Sequence, residues 1–223
     1  MLITIDGPAG AGKSTVARVL ARRLGFDYLD TGAMYRAVAL AGLRRGVDWR
    51  RPDRLAELAT TLRLEWKDDR MFLDGEDVSQ TIRSPEVTAI TRHAADNPAV
   101  RAHLVNVQRA LAANRNVVTE GRDQGTVAFP GADCKFFITA TPEERARRRL
   151  ADLERQGDAA TLADVLEAQQ SRDQRDAARP VGPLVKAPDA VEVVTDGMTV
   201  EQVVDRLVEL IRQRPAQLDA KRV

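Results

Sequence analysis

The segment that most restricts the fold of this chain is its first fifteen residues, MLITIDGPAGAGKST. A short apolar run, Leu2–Ile5, precedes a glycine-rich turn, and apolar residues at helical spacing then continue to Leu24. The turn, Gly7–Ser14, matches the pattern G-x-x-x-x-G-K-[ST] in the strand–turn–helix context that this pattern requires. Glycines let consecutive backbone N–H groups point at one anion, and the helix N-terminus adds positive potential. The segment therefore predicts a phosphate-binding turn after a buried parallel strand.

The residues of this turn predict a site for a nucleoside triphosphate with Mg²⁺. Lys13 is expected to contact the β- and γ-phosphates, and the Ser14 hydroxyl is expected to bind a Mg²⁺ that bridges them. Thr15 belongs to the first turn of the helix. The predicted triphosphate-binding residues are Gly7, Pro8, Ala9, Gly10, Ala11, Gly12, Lys13, Ser14 and Thr15, with Ser14 as the metal ligand.

Further strands are predicted at 117–119, 135–139 and 191–194, each followed by a segment with helical character. Strands that alternate with helices predict an α/β fold, with a parallel sheet covered by helices on both faces. The stretch 143–179, which is rich in charged residues and interrupts this alternation, is also predicted to be helical. The residues after Arg212 predict a frayed tail.

The stretch from Asp30 to Val100 does not follow this alternation. Helical patterns at Met34–Leu43 and Leu55–Leu62 precede the sequence LEWKDDRMFLDGEDV. The Asp-Asp and Asp-Gly pairs in that sequence separate short apolar pieces, as in a small antiparallel sheet. The stretch is therefore predicted to be an inserted lobe.

Composition excludes several classes of protein. The 34 Lys and Arg residues nearly balance the 33 Asp and Glu residues, so there is no overall field that would favour nucleic acid or an anionic membrane as a partner. Cys134 is the single cysteine, which excludes disulfides within the chain and predicts a reducing, cytoplasmic location. The apolar run at the N-terminus is too short for a signal or membrane segment. A monomer is expected from the near-zero net charge and the lack of an apolar surface stripe.

A phosphate-binding turn alone does not distinguish a switch, a motor and a kinase. The guanine-binding Asn-Lys-x-Asp sequence of GTPases is absent. The strand that ends at Glu120 continues directly into Gly121 and Arg122, and an arginine at that place suggests that a second phosphate is bound opposite the first. This arrangement favours transfer to a phosphorylated acceptor over hydrolysis.

Four sequence motifs identify a family resemblance. DTGAMYR at 30–36, DGEDV at 74–78, EGRDQGTV at 120–127 and RDQRD at 172–176 occur in this order. Together with the phosphate-binding turn they resemble the bacterial cytidylate kinases, which are P-loop nucleoside monophosphate kinases. The resemblance covers nearly the whole chain.

The resemblance implies a single kinase domain with three parts. These are a P-loop core at about 1–30, 114–142 and 180–213, a monophosphate-binding lobe at about 31–113, and a short helical lid at about 143–179. It also implies transfer of the γ-phosphoryl group of ATP to CMP or dCMP, with Mg²⁺, in pyrimidine nucleotide metabolism. The products would be CDP or dCDP and ADP.

The resemblance further implies roles for individual residues. Contacts to CMP are expected from Thr31, Arg101, Asp123 and Arg179, contacts to its phosphate from Arg36 and Arg122, and contacts to its ribose from Arg172 and Asp176. Lys13, Arg36, Arg122 and Arg179 would be the catalytic residues. A carboxylate such as Asp123 suits the amino group of cytosine.

Several alternatives stay open from the sequence. Arg92 occupies a position where the family usually has a serine near the sugar, so the preference between CMP and dCMP is undecided. Which lid arginine contacts the phosphates is also open among Arg145, Arg147, Arg148 and Arg149, as is the preferred donor triphosphate. A kinase for UMP, AMP or shikimate would share the same turn, and so would a regulator that binds ATP without catalysis.

Overall fold

The computed structural model describes residues 1–155, 157 and 159–213. The strands of this part of the chain are β1 (Leu2–Asp6), β2 (Asp27–Asp30), β3 (Leu64–Lys67), β4 (Arg70–Leu73), β5 (Glu76–Asp77), β6 (Val117–Gly121), β7 (Cys134–Thr139) and β8 (Val191–Val194). The α-helices are α1 (Lys13–Leu24), α2 (Thr31–Arg44), α3 (Pro52–Thr61), α4 (Pro85–Ala95), α5 (Pro98–Ala112), α6 (Pro142–Arg155), α7 (Leu162–Ala177) and α8 (Val200–Gln213). A 3₁₀ turn at Thr81–Arg83 and a π-helical turn at Gln124–Ala128 complete the regular structure.

The main sheet has five strands in the order β2-β6-β1-β7-β8. The β1–β6, β1–β7 and β7–β8 pairs are parallel. Ile3 and Ile5 on one face of the central strand and Thr4 on the other are all fully buried, as expected for a strand covered on both faces. Because Asp6 pairs with Gly121, the phosphate-binding turn and the segment that follows β6 begin at the same edge of the sheet.

The described chain divides into two compact units. The first unit contains Met1–Tyr28, Arg115–Arg179 and the described residues from Pro183 onward. In it, α1 packs against β6 and α8, and α6 packs against α7. The buried side of α8 consists of Val203, Val204, Leu207 and Val208, the apolar spacing that an amphipathic helix requires.

The second unit contains Leu29–Asn114 and Pro180–Gly182. Its helix α2 packs against α3 and α4, and also against β4 of a three-stranded antiparallel sheet with the order β3-β4-β5. Asp68 and Asp69, between β3 and β4, both have positive φ angles, of 51° and 59°. Two successive left-handed residues form the kind of turn that matches the twist of a tight hairpin. This explains why two aspartates can join these strands.

The structure confirms the predicted α/β fold with its parallel sheet and its small antiparallel sheet. The sequence prediction omitted β2, since its four residues place only Tyr28 and Leu29 between two aspartates and lack a strand-like apolar pattern. The helical segment predicted after the strand at 117–119 is only the five-residue π-helical turn. The helix predicted at Leu55–Leu62 begins earlier, at Pro52, a residue suited to the first helical position.

The predicted frayed tail lies, beyond Gln213, outside the described residues. No helix among residues 1–155, 157 and 159–213 has the length and apolar character needed to cross a membrane.

Candidate active site

The phosphate-binding turn lies between β1 and α1 in the first unit. Gly7, Gly10 and Gly12 have φ angles of 147°, 77° and 83°, which residues with a Cβ rarely adopt. A Cβ at Gly7 would lie 1.9 Å from the carbonyl oxygen of Ile138, so only glycine fits there. The side chain of Lys13 is buried, and its ammonium group donates a hydrogen bond of 2.8 Å to the carbonyl of Pro8.

Two buried carboxylates adjoin this turn. The Ser14 hydroxyl donates a 2.7 Å hydrogen bond to the carboxylate of Glu120, near the end of β6. Asp6, the last residue of β1, accepts hydrogen bonds from the backbone N–H groups of Gln124 and Gly125, at 2.8 and 2.7 Å. Burial raises the pKa of Asp6 to about 6, although these two hydrogen bonds favour its charged form.

An arginine–carboxylate cluster forms a further part of the site. One oxygen of the Asp176 carboxylate accepts a 2.9 Å hydrogen bond from Nε of Arg122, and the other accepts one from Arg179. Burial raises the pKa of Asp176, but the charges of Arg122, Arg179 and Arg172 outweigh burial and hold this pKa below its usual value. Asp176 therefore stays ionised and fixes two guanidinium groups in place.

The charge of Lys13 is disfavoured by its surroundings. Burial and the positive charges of Arg122 and Arg172 lower the pKa of Lys13 to about 7, although Glu120 and Asp6 oppose this shift. Lys13 and these arginines thus form a concentration of positive charge. Such a site is suited to a polyanion, which would relieve the repulsion among the cations.

The helices α6 and α7 also contact the phosphate-binding turn. Arg145 is buried and donates hydrogen bonds to the carbonyl of Ala9 at 2.9 Å and to the carboxylate of Asp173. The same carboxylate accepts the N–H of Ala9 at 3.2 Å. Of the four lid arginines considered from the sequence, Arg147 and Arg149 are exposed, and Arg148 donates to the carbonyl of Thr195 at 2.7 Å.

The second unit contains the other predicted contact residues. Arg36 donates hydrogen bonds to the carbonyl of Ile82 at 3.1 Å and to the hydroxyl of Thr88 at 2.7 Å. Arg101 is buried, donates to the carbonyl of Ala95 at 2.9 Å, and lies over the ring of Tyr35. Thr31 is buried at the start of α2. The structure therefore holds both arginines through hydrogen bonds to backbone carbonyls.

The predicted residues fall into two groups, one in each unit. The first unit contains Lys13, Ser14, Arg122, Asp123, Arg172, Asp176 and Arg179, and the second contains Thr31, Arg36 and Arg101.

A sequence model of the cytidylate kinases matches residues 3–213. The chain belongs to the cytidylate kinase family.

Comparison with individual proteins supports this family assignment. A protein named cytidylate kinase from Rhodopirellula baltica is 50% identical over 213 residues, which is 96% of this chain and 93% of the relative. A cytidylate kinase from Pelotomaculum thermopropionicum is 50% identical over 211 residues, covering 92% of this chain and 93% of the relative. A crystal structure of an uncharacterized protein from Eubacterium ventriosum aligns with a TM-score of 0.53 at 14% identity, over 96% of this chain and 99% of that one. The last likeness concerns the fold alone.

The sequence alone assigns no role to Asp6, Glu120 or Asp173, and it leaves Arg145 as one of four candidate lid arginines. Asp6 and Glu120 stand at or near the carboxyl ends of neighbouring parallel strands, and this position is the signal that could have identified them. Arg145 and Asp173 contact the phosphate-binding turn only through the fold. Asp173 lies in the RDQRD motif, but neither this motif nor the run of arginines around Arg145 indicates a contact with the turn. The sequence therefore gives a clearer indication of a site role for Asp6 and Glu120 than for Arg145 and Asp173.

The low pKa of Lys13 predicts that ATP binding takes up protons. A bound polyphosphate would raise this pKa because negative charge favours the ammonium form. Between the two pKa values, the bound state holds more protons than the free state. We therefore expect net proton uptake when ATP binds at pH 8, measured by titration calorimetry in buffers of different ionisation enthalpy. Proton release, or no exchange of protons, would contradict this expectation.

Proposed function

We propose that this chain transfers the γ-phosphoryl group of ATP to CMP, and also to dCMP, giving CDP or dCDP and ADP in pyrimidine nucleotide metabolism. Membership of the cytidylate kinase family supports CMP as the phosphate acceptor. The observation on which the proposal rests most is the cluster of Arg122, Arg172 and Arg179 near Lys13, because hydrolysis of ATP alone would not need a second set of guanidinium groups. We further propose that it acts in the cytoplasm as a monomer, without nucleic acid as a partner.

On the donor side, the residues of the turn from Gly7 to Thr15 would bind the ATP phosphates. The backbone N–H groups of the turn and the N-terminus of α1 would surround the β-phosphate. Lys13, already buried and held by Pro8, would contact the β- and γ-phosphates. The positive potential here is prepared before the reaction begins, which is the general requirement for electrostatic stabilisation of a transition state.

On the acceptor side, we propose the contacts that the family resemblance implies. Arg36 and Arg122 would bind the phosphate of CMP, and Arg172 and Asp176 its ribose. Thr31, Arg101, Asp123 and Arg179 would make further contacts, with Asp123 facing the cytosine amino group. The acceptor phosphate has a second pKa near 6, so at neutral pH it is mostly a dianion and needs no general base. Catalysis would then depend on positioning and on neutralisation of charge.

The residues at the turn fit a Mg²⁺ ion. The Ser14 hydroxyl and the Glu120 carboxylate, 2.7 Å apart, are the hard oxygen donors that Mg²⁺ prefers. Among residues 1–155, 157 and 159–213 there is no cluster of three or more His, Cys, Asp or Glu side chains suited to a metal. Few protein ligands are typical of Mg²⁺ that binds with a nucleotide. Bound Mg²⁺ would neutralise charge on the transferred group.

The metal assignment predicts two results. Turnover should stop with excess EDTA and return with added Mg²⁺, since the ATP phosphates need the cation. Ser14→Ala should raise the Mg²⁺ concentration for half-maximal turnover by about tenfold, because one oxygen ligand is lost. Thr60→Ala, which removes an exposed hydroxyl from α3 in the second unit, serves as the control and should leave the Mg²⁺ requirement nearly unchanged. Equal requirements for Ser14→Ala and the wild type would contradict the role of Ser14.

The three-part organisation is likewise a proposal. The core would be residues 1–30, 114–142 and 180–213, the monophosphate-binding lobe 31–113, and the lid 143–179. We propose that the lid moves in each catalytic cycle to exclude water, because water would otherwise accept the phosphoryl group. The contacts of Arg145 and Asp173 with Ala9 support an attachment of this segment to the phosphate-binding turn.

A comparison of acceptors tests the proposed function. CMP, dCMP, UMP, AMP and shikimate would each be offered with ATP and Mg²⁺, and ADP formation measured by a coupled assay. We expect kcat/KM to be highest for CMP, with dCMP next. Highest activity with AMP or shikimate would overturn the proposed acceptor. The ratio of kcat/KM for CMP to kcat/KM for dCMP would show whether the exposed Arg92, where the family usually has serine, affects the preference between the two sugars.

A further inference from the structure

The buried carboxylate of Asp6 has contacts that the proposed function does not use. Asp6 is the last residue of β1, directly before Gly7, and only 4% of it is exposed. One oxygen accepts the N–H of Gln124 at 2.8 Å, and the other accepts the N–H of Gly125 at 2.7 Å. A single side chain thus binds two consecutive backbone amides that lie more than a hundred residues further along the chain.

These two amides need an acceptor from outside their own turn. Within the π-helical turn, the carbonyl of Asp123 accepts the N–H groups of Val127 and Ala128. The first N–H groups of a helical turn have no carbonyl acceptor within it. A carboxylate is a strong acceptor for such groups because its hydrogen bonds are assisted by charge. Asp6 therefore acts as a cap on this turn.

Gly125 lies in a crowded position beside the Asp6 carboxylate. A Cβ at Gly125 would lie 3.4 Å from the nearer Asp6 oxygen, 3.1 Å from the Thr4 hydroxyl and 3.2 Å from the Lys135 side chain. The contacts with Thr4 and Lys135 are tighter than usual, so a side chain at Gly125 would require the turn or these neighbours to shift by a few tenths of an ångström. The hydrogen bonds of Asp6 and the absence of a side chain at Gly125 are thus both consistent with close packing of this turn against β1.

The capped turn fixes the segment that contains Arg122 and Asp123. On one side of these residues, Gly121 pairs with Asp6 in the register of β1 and β6. On the other side, Gln124 is hydrogen-bonded to the Asp6 carboxylate. Arg122 and Asp123 are therefore bounded by two positions that are both fixed by Asp6.

We propose that Asp6 is a positioning residue for the phosphate acceptor: its carboxylate caps the turn after β6 and thereby orients Arg122 and Asp123. The inference rests on the proposed function, which assigns acceptor contacts to these two residues. Asp6 itself need not touch a substrate. Its removal should affect the acceptor more than the donor, because both of its hydrogen bonds go to the segment after β6.

Asp6→Asn is the variant that tests this role. Asparagine keeps one oxygen acceptor but presents an NH₂ group to the second backbone amide, so one of the two hydrogen bonds is lost. We expect the KM for CMP to rise by about tenfold, with a change of less than about threefold in the KM for ATP. We also expect faster amide hydrogen exchange in a peptide that covers residues 122–129, measured by mass spectrometry without substrates.

Thr4→Val is the matched control. Thr4 is fully buried in the same strand, and its hydroxyl has no hydrogen-bond partner among the described residues. Valine has nearly the same shape, so this variant changes the polarity near Gly125 without removing the cap. We expect both KM values and the exchange of residues 122–129 to match the wild type.

The outcomes separate the two proposals. Unchanged exchange at 122–129 in Asp6→Asn, or an equal rise in both KM values, would overturn the positioning role. If the wild-type chain does not phosphorylate CMP, the proposed function fails, and faster exchange in the variant still supports the cap. If Asp6→Asn does not fold, Gly125→Ala crowds the same turn against Thr4 and Lys135, and a selective rise in the KM for CMP is expected from it as well.

Discussion

Replacement of Lys13 by methionine should lower kcat by about 10²- to 10³-fold, the usual effect of removing one preorganised charge from a transition state. Methionine has a similar length but no charge, so it cannot neutralise the charge that develops on the transferred group. The thermal midpoint of unfolding should change little. Relief from burying the ammonium group offsets the lost hydrogen bond to Pro8. Steady-state assays with ATP and CMP, together with thermal melts, measure both effects.

Lys67→Met provides the control for Lys13→Met. Lys67 is exposed at the end of β3 in the second unit, so its replacement removes the same charge from a solvated position. We expect its turnover to equal that of the wild type. A Lys13→Met protein that melts normally and retains more than about a tenth of wild-type kcat would contradict the role assigned to Lys13.

Replacement of Arg122 by methionine should lower kcat/KM for CMP by about 10²- to 10³-fold, with a much smaller change in the KM for ATP. Arg122 is held by Asp176 at 2.9 Å, so its guanidinium is already oriented before the acceptor binds. Loss of this group removes both a phosphate contact and a positive charge near Lys13. The pKa of Lys13 should then rise, and proton uptake on ATP binding should decrease.

Arg115→Met is the matched control for Arg122→Met. Arg115 belongs to the same unit and forms an exposed ion pair with Asp27, a kind of contact that contributes about 0–1 kcal/mol. Its replacement should leave kcat/KM for CMP unchanged. If Arg122→Met lowered the apparent affinities for ATP and CMP equally, the assignment of Arg122 to the acceptor phosphate would be wrong.

The sequence predicted the parts of the fold that depend on neighbouring residues. The phosphate-binding turn combines a strand, three glycines and a helix within fifteen residues, so local pattern was sufficient. The antiparallel sheet was predicted for the same reason, from the turns at Asp68 and Asp74. The strand β2 was missed because its two central apolar residues are too few to show a period.

Contacts between segments that are distant in the chain could not be predicted from the sequence. The ion pairs of Asp176 with Arg122 and Arg179 place three predicted residues together, which the motifs alone do not establish. The hydrogen bonds that Asp6 accepts from the N–H groups of Gln124 and Gly125 depend on the pairing of β1 with β6, and a single sequence does not specify that register. Among four arginines in α6, burial beneath the turn distinguishes Arg145, although all four share the same local composition.

The central claim is direct transfer of a phosphoryl group to CMP, and isotopic labelling tests it most directly. ATP labelled in its γ-phosphate would be incubated with CMP, Mg²⁺ and the protein, and the products separated. We predict that the label appears in the β-phosphate of CDP, in an amount equal to the ADP formed. Label found only in inorganic phosphate, with no CDP, would contradict the account.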